Sequence, residues 1–361
     1  MVEVAHPAYR GTMTGFYNCL SDVGGIIGNS ATRGSLVYNT NAAWLIPTWC
    51  QMICSSFVCV FVMFVPETPR WLYTHNKMEK AKEFITKYHG ANQPDSLYVQ
   101  MELREFGAHL EMDGADKRWW DYRALFKTKS DRYRLYCNLL VSCFGQWTSG
   151  GVGNYLGGFY ATAGVTDPAI ILDINLAGTC LNTAIAFVGA RFCDRIGRRK
   201  LLLITLVLLT CCWIATTAGT ASYANTGSVV AARTGIAFNF IWGWPFSFGF
   251  TPLQSLYPVE VLSYEQRAKG MAFSNLVVNA AVLVNQFGTP VALKNIGWKV
   301  YIVFTCWTAF ETLIVYLFIV ETNGFSLEEL DDVFAAENPR KASTKKKTVV
   351  IPIEHDESPL R

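Results

Sequence analysis

The stretch Glu260-Val-Leu-Ser-Tyr-Glu-Gln-Arg267-Ala-Lys-Gly270 decides the fold class, because it repeats the charges and the spacing of an earlier stretch, Glu3-Val-Ala-His-Pro-Ala-Tyr-Arg10-Gly11. In both copies the eighth residue after the arginine is an asparagine, Asn18 in the first and Asn275 in the second. The chain therefore contains an internal repeat.

A third landmark shows how long the repeated unit is. Each copy reaches a Glu-Thr pair after one further apolar segment, at Glu67 in the first copy and at Glu321 in the second. The distance from Glu3 to Glu67 is 64 residues, and the distance from Glu260 to Glu321 is 61 residues. A whole two-helix unit is duplicated, and duplicated helical units are typical of transporters.

The two copies differ in what precedes them. A basic turn, Asp194–Lys200, lies 66 residues before Glu260, and four apolar segments lie upstream of that residue, whereas only Met1 and Val2 precede Glu3. If both halves are built alike, about four membrane helices are missing from the N-terminal side of this sequence. We therefore expect an N-terminally truncated chain.

The composition predicts an all-α integral membrane protein. Hydrophobic residues make up 51% of the chain and charged residues 16%, and the charges cluster so that long apolar windows remain. A helix needs about 20 apolar residues to cross a bilayer. Eight windows of that length are present, at about 12–32, 42–65, 135–161, 169–192, 201–221, 228–256, 271–293 and 298–320.

The polar segments predict the domain organisation and the topology. Lysine and arginine crowd the region 67–132, the turns at 191–200 and 267–269, and the tail, so the positive-inside rule places these segments and both termini in the cytoplasm. We divide the chain into 1–66, the remnant of an N-terminal lobe; 67–132, a segment between lobes with short amphipathic helices; 133–320, a six-helix C-terminal lobe; and 321–361, a tail.

The sequence indicates no enzyme, cofactor or metal site. The five histidines lie near or beyond the ends of the predicted spans, and no nucleotide-binding glycine loop is present. The eleven cysteines lie mostly inside spans and lack metal-ligand spacing, so they are predicted to pack. Membrane lipid is the expected surrounding, and a net charge of +3 at a cytoplasmic surface calls for no nucleic acid.

Polar side chains inside predicted spans mark the candidate binding path, because they are costly to place in lipid. The third span holds Gln146, Asn154 and Tyr155 in a glycine-dense run that favours local unwinding, although close packing through small residues is the alternative. Asn182 lies deep in the fourth span, where an ordinary interhelical hydrogen bond is the alternative. In the seventh span Asn279 follows Asn275 by one turn, so the two share a face.

Charged residues at the predicted cytoplasmic helix ends form two sets related by the repeat. Such sets are predicted to pair across the halves in an ion network that breaks when the inner side opens. The alternative is ordinary snorkelling and topology signalling. The residues are Glu3, Arg10, Glu67, Arg70, Asp194, Arg195, Arg198, Arg199, Glu260, Arg267 and Glu321.

Three motifs resemble the sugar porter family of the major facilitator superfamily. They are PETPRWL at Pro66–Leu72, DRIGRR at Asp194–Arg199, and the ending from Glu321 to Glu329. The stretches around FGQW and LYPVEVLSYEQRAKG are similar to the fungal lactose permease and hexose transporter branch. The resemblance covers nearly the whole chain and implies a partial fold of about 8 of 12 helices, in which the first span corresponds to helix five.

The resemblance implies sugar movement by alternating access, coupled to protons as in a carbohydrate:proton symporter, at the plasma membrane. It places sugar contacts at Asn18, Gln146, Asn182 and Asn275. Ser255 stands where many family members have a tryptophan, which leaves the sugar open. The acidic residue that carries the proton in family symporters belongs to the first helix, which is absent from this sequence.

Two other functions stay open at the level of sequence. One is a transporter-like sugar sensor, and the other is a regulatory fragment that pairs with full-length partners. We expect the chain as given to be inactive in transport by itself, because one of the two lobes is reduced to two helices.

Overall fold

The computed structural model is helical through the part of the chain that it describes. That part comprises residues 4, 10–38, 40–90, 92–93, 96, 99–104, 107, 122–148, 160, 165–325 and 327–344. The α-helices with fixed bounds are α1 (Arg10–Ser35), α2 (Ala42–Phe61), α3 (Pro69–Thr74), α4 (Met78–Tyr88), α5 (Lys129–Trp147), α6 (Pro168–Ile196), α7 (Arg198–Thr226), α8 (Val229–Val261), α9 (Tyr264–Ile296), α10 (Val300–Phe318), α11 (Leu327–Ala335) and α12 (Pro339–Thr344).

Each of the eight apolar windows contains one long helix, namely α1, α2 and α5 to α10. Helix α5 ends at Trp147, and most of the rest of its window lies outside the described residues. Four stretches among the described residues combine the length and the mean hydropathy needed to cross a membrane: Ala42–Phe64, Pro168–Cys193, Arg198–Thr226 and Gln266–Phe318. The last one includes both α9 and α10. The prediction of an all-α membrane protein is confirmed.

Local chemistry explains where the long helices begin and end. Thr128 and Asp131 form a reciprocal capping box before α5, and Asp167 accepts a hydrogen bond at the start of α6. Gly197 has a φ of 93° and a ψ of 148°, a conformation that favours glycine, and it is the single residue between α6 and α7. Gly227, with a φ of 69° and a ψ of 10°, ends α7 in the left-handed helical conformation.

Helices α5 to α10 form one bundle in which α8 is central. Helix α8 packs against α5, α6 and α7, while α10 packs against α7, and α9 packs against α5. The apolar core of this bundle is continuous from α5 through α7 and α8 to α10. Its largest buried members include Leu201, Leu206, Leu209, Phe250, Leu253 and Tyr257.

Glycines bring three of these helices unusually close together. A Cβ atom at Gly219 of α7 would lie 2.7 Å from the backbone nitrogen of Gly235 on α8. A Cβ atom at Gly189 of α6 would overlap the backbone of Phe248 on α8. Small residues at such crossings let backbones approach in a membrane, where no hydrophobic force drives helices together.

The N-terminal helices lie outside this bundle. Helix α1 packs on α6 and α8, and α2 packs on α1 with none of its residues buried. The segment predicted to form short amphipathic helices contains α3 and α4, and α4 buries Ala81, Phe84 and Ile85 on one face. The side of the membrane on which this segment lies stays a prediction.

Candidate functional site

Helices α1 and α6 meet along a polar, antiparallel interface between the N-terminal part of the chain and the six-helix bundle. Asn29 Nδ2 donates to the hydroxyl of Thr179 at 3.0 Å, and Asn175 Nδ2 donates to Asn29 Oδ1 at 3.3 Å. At one end Arg33 donates to both carboxylate oxygens of Asp173, at 2.5 and 3.2 Å. Sequence reasoning did not predict this contact between the halves, although Arg33 and Asp173 each stand near a span end.

The register of this interface places two predicted positions. The two helices run antiparallel: Arg33, near the C-terminal end of α1, pairs with Asp173, near the start of α6. Phe16, near the start of α1, has its ring 5.5 Å from that of Phe187, near the end of α6. By that register position 22 lies level with position 182, and position 18 lies one turn further. Asn18 is on the face of α1 that also carries Asn29, and its side chain lies outside the described part of the structure.

Asn182 lies near the middle of α6 against a glycine of α8. A Cβ atom at Gly243 would be 2.6 Å from Asn182 Nδ2, so only glycine leaves room for this amide. Asn182 Oδ1 is buried and has no hydrogen-bond partner among the described residues. A buried polar atom of this kind normally has a partner in the protein, in water or in a ligand. The indole nitrogen of Trp242 on α8 is likewise buried and has no hydrogen-bond partner among the described residues. Sequence reasoning did not single out this residue.

The C-terminal end of α5 is fixed by hydrogen bonds from α9. Asn285 Nδ2 donates to the backbone carbonyl of Gln146 at 2.6 Å, and Trp147 Nε1 donates to the carbonyl of Ala281 at 3.1 Å. Gln146 is half-buried at this end of the helix. Gln146, which is predicted to contact sugar, therefore lies where α5 and α9 are hydrogen-bonded to each other.

The other predicted binding residues fall into two groups. Asn275 and Asn279 are exposed on α9, and Asn279 Nδ2 donates to the backbone carbonyl of Asn275 at 2.8 Å, which confirms that they share a face. Asn154 and Tyr155 lie outside the described residues. The sugar contacts of all four residues remain predictions.

Several of the predicted gating charges form one cluster where α7 begins and α8 ends, which we call the charged end. Arg198 Nη2 and Nε donate to the two carboxylate oxygens of Glu260, at 2.7 and 3.1 Å. Arg198 Nη1 donates to Asn323 Oδ1 at 2.7 Å, and the hydroxyl of Thr322 donates to Glu260 at 2.6 Å. The Arg198 side chain is only 9% exposed. These hydrogen bonds join the start of α7, the end of α8 and the residues that follow α10.

Glu321 caps the first turn of α7. The backbone amides of Arg198 and Arg199 donate to its two oxygens at 2.8 and 3.2 Å. A carboxylate at a helix N-terminus neutralises the unsatisfied amides and the positive end of the helix dipole. Gly197 makes the approach possible, because a Cβ atom there would lie 2.7 Å from Glu321 Oε2.

A buried arginine that sequence reasoning missed attaches the C-terminal segment to the charged end. Arg134 Nη1 donates to the carbonyl of Val261 at 2.9 Å, and Arg134 Nη2 donates to Asp331 at 2.5 Å. Its guanidinium also lies 4.5 Å from the ring centre of Phe334. Helices α5, α8 and α11 are thus held together through one cation.

All of the observed partners at the charged end belong to α5–α11 and to the residues that directly follow α10. Arg195 and Glu67 are exposed, and Arg267 is half-buried. Arg10, Arg70 and Asp194 lie in helices that the structure describes, but their side chains are not among the described ones. Glu3 lies outside the described residues. Pairing across the two halves of the repeat stays a prediction.

A bundle of long apolar helices, an internal repeat and a polar interface between α1 and the bundle are typical of a polytopic membrane protein of the transporter class. The family model for "Sugar (and other) transporter" matches residues 1–334. The chain belongs to this sugar transporter family.

Curated relatives with transporter names align along most of this chain. Hexose transporter 2 of Kluyveromyces lactis is 26% identical over 346 residues, which cover 92% of this chain and 60% of that protein. The MFS-type transporter oryC of Aspergillus oryzae is also 26% identical, over 95% of this chain and 64% of that protein. The high-affinity gluconate transporter ght3 of Schizosaccharomyces pombe is 24% identical, over 92% of this chain and 60% of that protein. The chain therefore spans about three fifths of the length of these relatives.

Solved structures confirm the major facilitator fold. The proton:xylose symporter XylE bound to 6-bromo-6-deoxy-D-glucose superposes with a TM-score of 0.67 at 20% identity, covering 92% of this chain and 69% of that one. A partially occluded inward-open XylE from E. coli gives a TM-score of 0.68 at 19% identity, covering 90% of this chain and 67% of that one. These structures support the fold alone.

Proposed function

We propose that this chain carries the C-terminal lobe and two further helices of a sugar transporter that works by alternating access. The family match over residues 1–334 is the observation that carries this proposal. The substrate class is a mono- or disaccharide of the hexose, xylose or lactose kind, moved together with a proton. The location we propose is the plasma membrane, with both termini in the cytoplasm.

The proposed sugar site lies between α1 and the polar face of the bundle. Asn182 supports this location, because its buried Oδ1 has no hydrogen-bond partner among the described residues and a sugar hydroxyl would supply a donor. Gln146 supports it as well, because α9 holds its backbone in place at the end of α5. Each good hydrogen bond to a sugar hydroxyl adds roughly 1 to 3 kcal/mol when its loss leaves a buried partner unsatisfied.

Alternating access needs two lobes that rock against each other around a central site. In this chain the bundle α5–α10 is faced by two long helices, α1 and α2, of which α1 packs on the bundle. We therefore propose that the 361 residues do not transport sugar by themselves, and that upstream helices from a relative restore transport.

The test measures sugar affinity in a joined protein that carries the upstream helices of the Kluyveromyces lactis hexose transporter. Glucose, xylose, lactose and gluconate are offered as labelled ligands to Asn182→Ala and Gln146→Ala variants in nanodiscs. Asn225→Ala is the matched control, since Asn225 is exposed near the end of α7.

We expect both site variants to lose about 5- to 150-fold in affinity for the preferred sugar, and the control to bind as the parent does. If both site variants bind like the Asn225→Ala control, the proposed site is wrong.

A further inference from the structure

Among the described residues of α5–α10, one carboxyl group is fully buried in the membrane-spanning part, away from the sites described so far. Glu311 of α10 is 0% exposed. Its Oε1 accepts a hydrogen bond from Trp307 Nε1 at 2.5 Å, and its Oε2 lies 2.6 Å from the hydroxyl oxygen of Thr148. Thr148 is also 0% exposed and is the residue at which α5 ends.

Counting hydrogens favours the protonated form of this group. The Thr148 hydroxyl oxygen lies 2.6 Å from Glu311 Oε2 and 2.5 Å from the carbonyl oxygen of Phe144. Both are hydrogen-bonding distances, yet a threonine hydroxyl has one hydrogen and a backbone carbonyl has none. A protonated Glu311 supplies a second hydrogen, so that neither contact has to share one. Its O–H then donates to Thr148, and Thr148 donates to Phe144.

The ionised alternative leaves a clash. If Glu311 were a carboxylate, the Thr148 hydrogen would have to point at it, and two bare oxygens would then face each other at the 2.5 Å contact between Thr148 and Phe144. An ionised carboxylate at zero exposure also needs a counter-charge or several donors to replace water. Trp307 and Thr148 are the polar groups in hydrogen-bonding contact with it, and both are neutral.

One charged side chain approaches α10 near Glu311: Arg199 Nη2 donates to the backbone carbonyl of Tyr316 at 2.9 Å, five residues or about 7.5 Å further along the helix. The charges of α5 lie in its first six residues and those of α7 in its first three, so Thr148 and Trp213 follow them by thirteen residues or more, which is about 20 Å along a helix. On the other side Lys294 and Lys299 flank the start of α10, twelve residues or more before Glu311 in the chain. The other ionisable side chains in this region are the phenol of Tyr301, whose ring stacks 6.2 Å from that of Trp213, and the thiols of Cys143, Cys212 and Cys306.

Thr148 also makes a hydrogen bond to a second helix, α7. Trp213 Nε1 of α7 donates to the backbone carbonyl of Thr148 at 3.1 Å, and the Trp213 side chain is almost fully buried. The ring of Trp307 packs edge-on against that of Trp147 at 5.3 Å. Helices α7 and α10 therefore anchor the end of α5, directly after Gln146 and directly before the glycine-dense run.

We propose that Glu311 is a proton-binding site, and that its bound proton completes the hydrogen-bond chain that anchors the end of α5. Loss of the proton turns the Thr148 hydrogen toward the carboxylate and breaks the bond to Phe144. The end of α5 then has to shift until the two oxygens separate. The site stands independently of sugar transport, because its geometry involves neither a substrate nor the interface with α1.

The decisive measurement is the infrared difference spectrum between the wild-type chain and Glu311→Gln at pH 7, both in phosphatidylcholine nanodiscs. Glutamine keeps the shape of the protonated acid, with an amide N–H in place of the O–H, so we expect the fold to be retained. We expect the wild type to show the C=O stretch of a protonated acid that the variant lacks. Asp22→Asn, in another span, serves as the control and leaves that band in place. Carboxylate bands in the difference spectrum instead would overturn the proposal.

Thermal unfolding gives a second readout. A group that is protonated in the fold and ionised after unfolding contributes stability that is lost as the pH rises. We therefore expect the unfolding temperature of the wild type to fall, relative to that of Glu311→Gln, as the pH rises from about 5, where an unfolded glutamate is already ionising, to mildly alkaline pH. Equal pH dependence of the two proteins contradicts the proposal.

A third variant covers the case in which Glu311→Gln does not fold. Thr148→Val keeps the carboxyl and removes its hydroxyl partner. The acid band of Glu311 should then remain and change frequency, because it has lost a hydrogen bond. A change confined to carboxylate bands contradicts the proposal.

Discussion

Replacing Arg198 with alanine tests the charged end most severely. The side chain makes three hydrogen bonds, two to Glu260 and one to Asn323, at 2.7 to 3.1 Å. Removing one partner of a fully buried ion pair costs about 3 to 5 kcal/mol, because the other charge stays behind unpaired.

The expected cost here is at or below the lower limit of that range. The Glu260 side chain is 22% exposed, so water reaches it, and the Thr322 hydroxyl still donates to it at 2.6 Å after the change. We expect the free energy of unfolding to fall by about 2 to 3 kcal/mol for Arg198→Ala. Arg198→Lys should lose about half as much, since a lysine keeps the charge and loses the planar fork.

The assay is equilibrium unfolding in mixed detergent micelles, followed by the fluorescence of the tryptophans. Arg195→Ala is the matched control, because Arg195 is exposed three residues earlier and contacts only the ring of Phe192 among the interactions described, at 5.7 Å. We expect this control to show no measurable loss. An Arg198→Ala variant as stable as the control would refute the claim that the cluster holds the bundle together.

Three further outcomes are expected. Gly189→Ala should lower the unfolding temperature, because a Cβ atom there overlaps the backbone of α8, whereas Gly288→Ala on open surface should raise it or leave it unchanged. Arg33→Asp should lower the yield of cysteine cross-linking between α1 and α6, and exchanging the charges with Asp173→Arg should restore it, unless the pair is incidental. A cysteine at Lys80 should resist an impermeant reagent added outside intact cells, and labelling from outside would show that the predicted topology is reversed.

The long helices were predictable because the bilayer imposes their length on the sequence. The window 169–192, for example, corresponds to α6, and the structure adds one turn at its C-terminal end, where Arg195 lies beyond the apolar run. The bounds of the 135–161 window were less predictable. Its helix begins at Lys129, because the capping box at Thr128 sets the start, and that signal lies outside the apolar run.

The partners of the charged residues could not be predicted from the repeat. The repeat shows that Glu260 and Glu321 occupy positions equivalent to Glu3 and Glu67, but equivalence does not say which cation each one meets. Arg198 contacts Glu260 across 62 residues, at the point where Gly197 separates α6 from α7. Contacts of that range depend on helix packing, and local sequence does not specify packing.

Glu311 carried a signal that sequence analysis left unused. It is the only acidic residue in the window 298–320, and a lone carboxyl in a span marks a functional group by default. Its partner Thr148 lies 163 residues away, at the edge of the described part of α5. The sequence could therefore have identified the residue but not the hydrogen-bond chain that favours its protonated form.

The most direct test of the proposed function is uptake of labelled sugar into transporter-deficient yeast cells. Two proteins are compared at equal surface expression: this chain alone, and this chain joined to the upstream helices of the Kluyveromyces lactis hexose transporter. We predict saturable uptake by the joined protein, no uptake above background by the chain alone, and loss of uptake affinity on changing Asn182 to alanine. Saturable uptake by the chain alone at the rate of the joined protein, or uptake unaffected by the change at Asn182, would contradict the account.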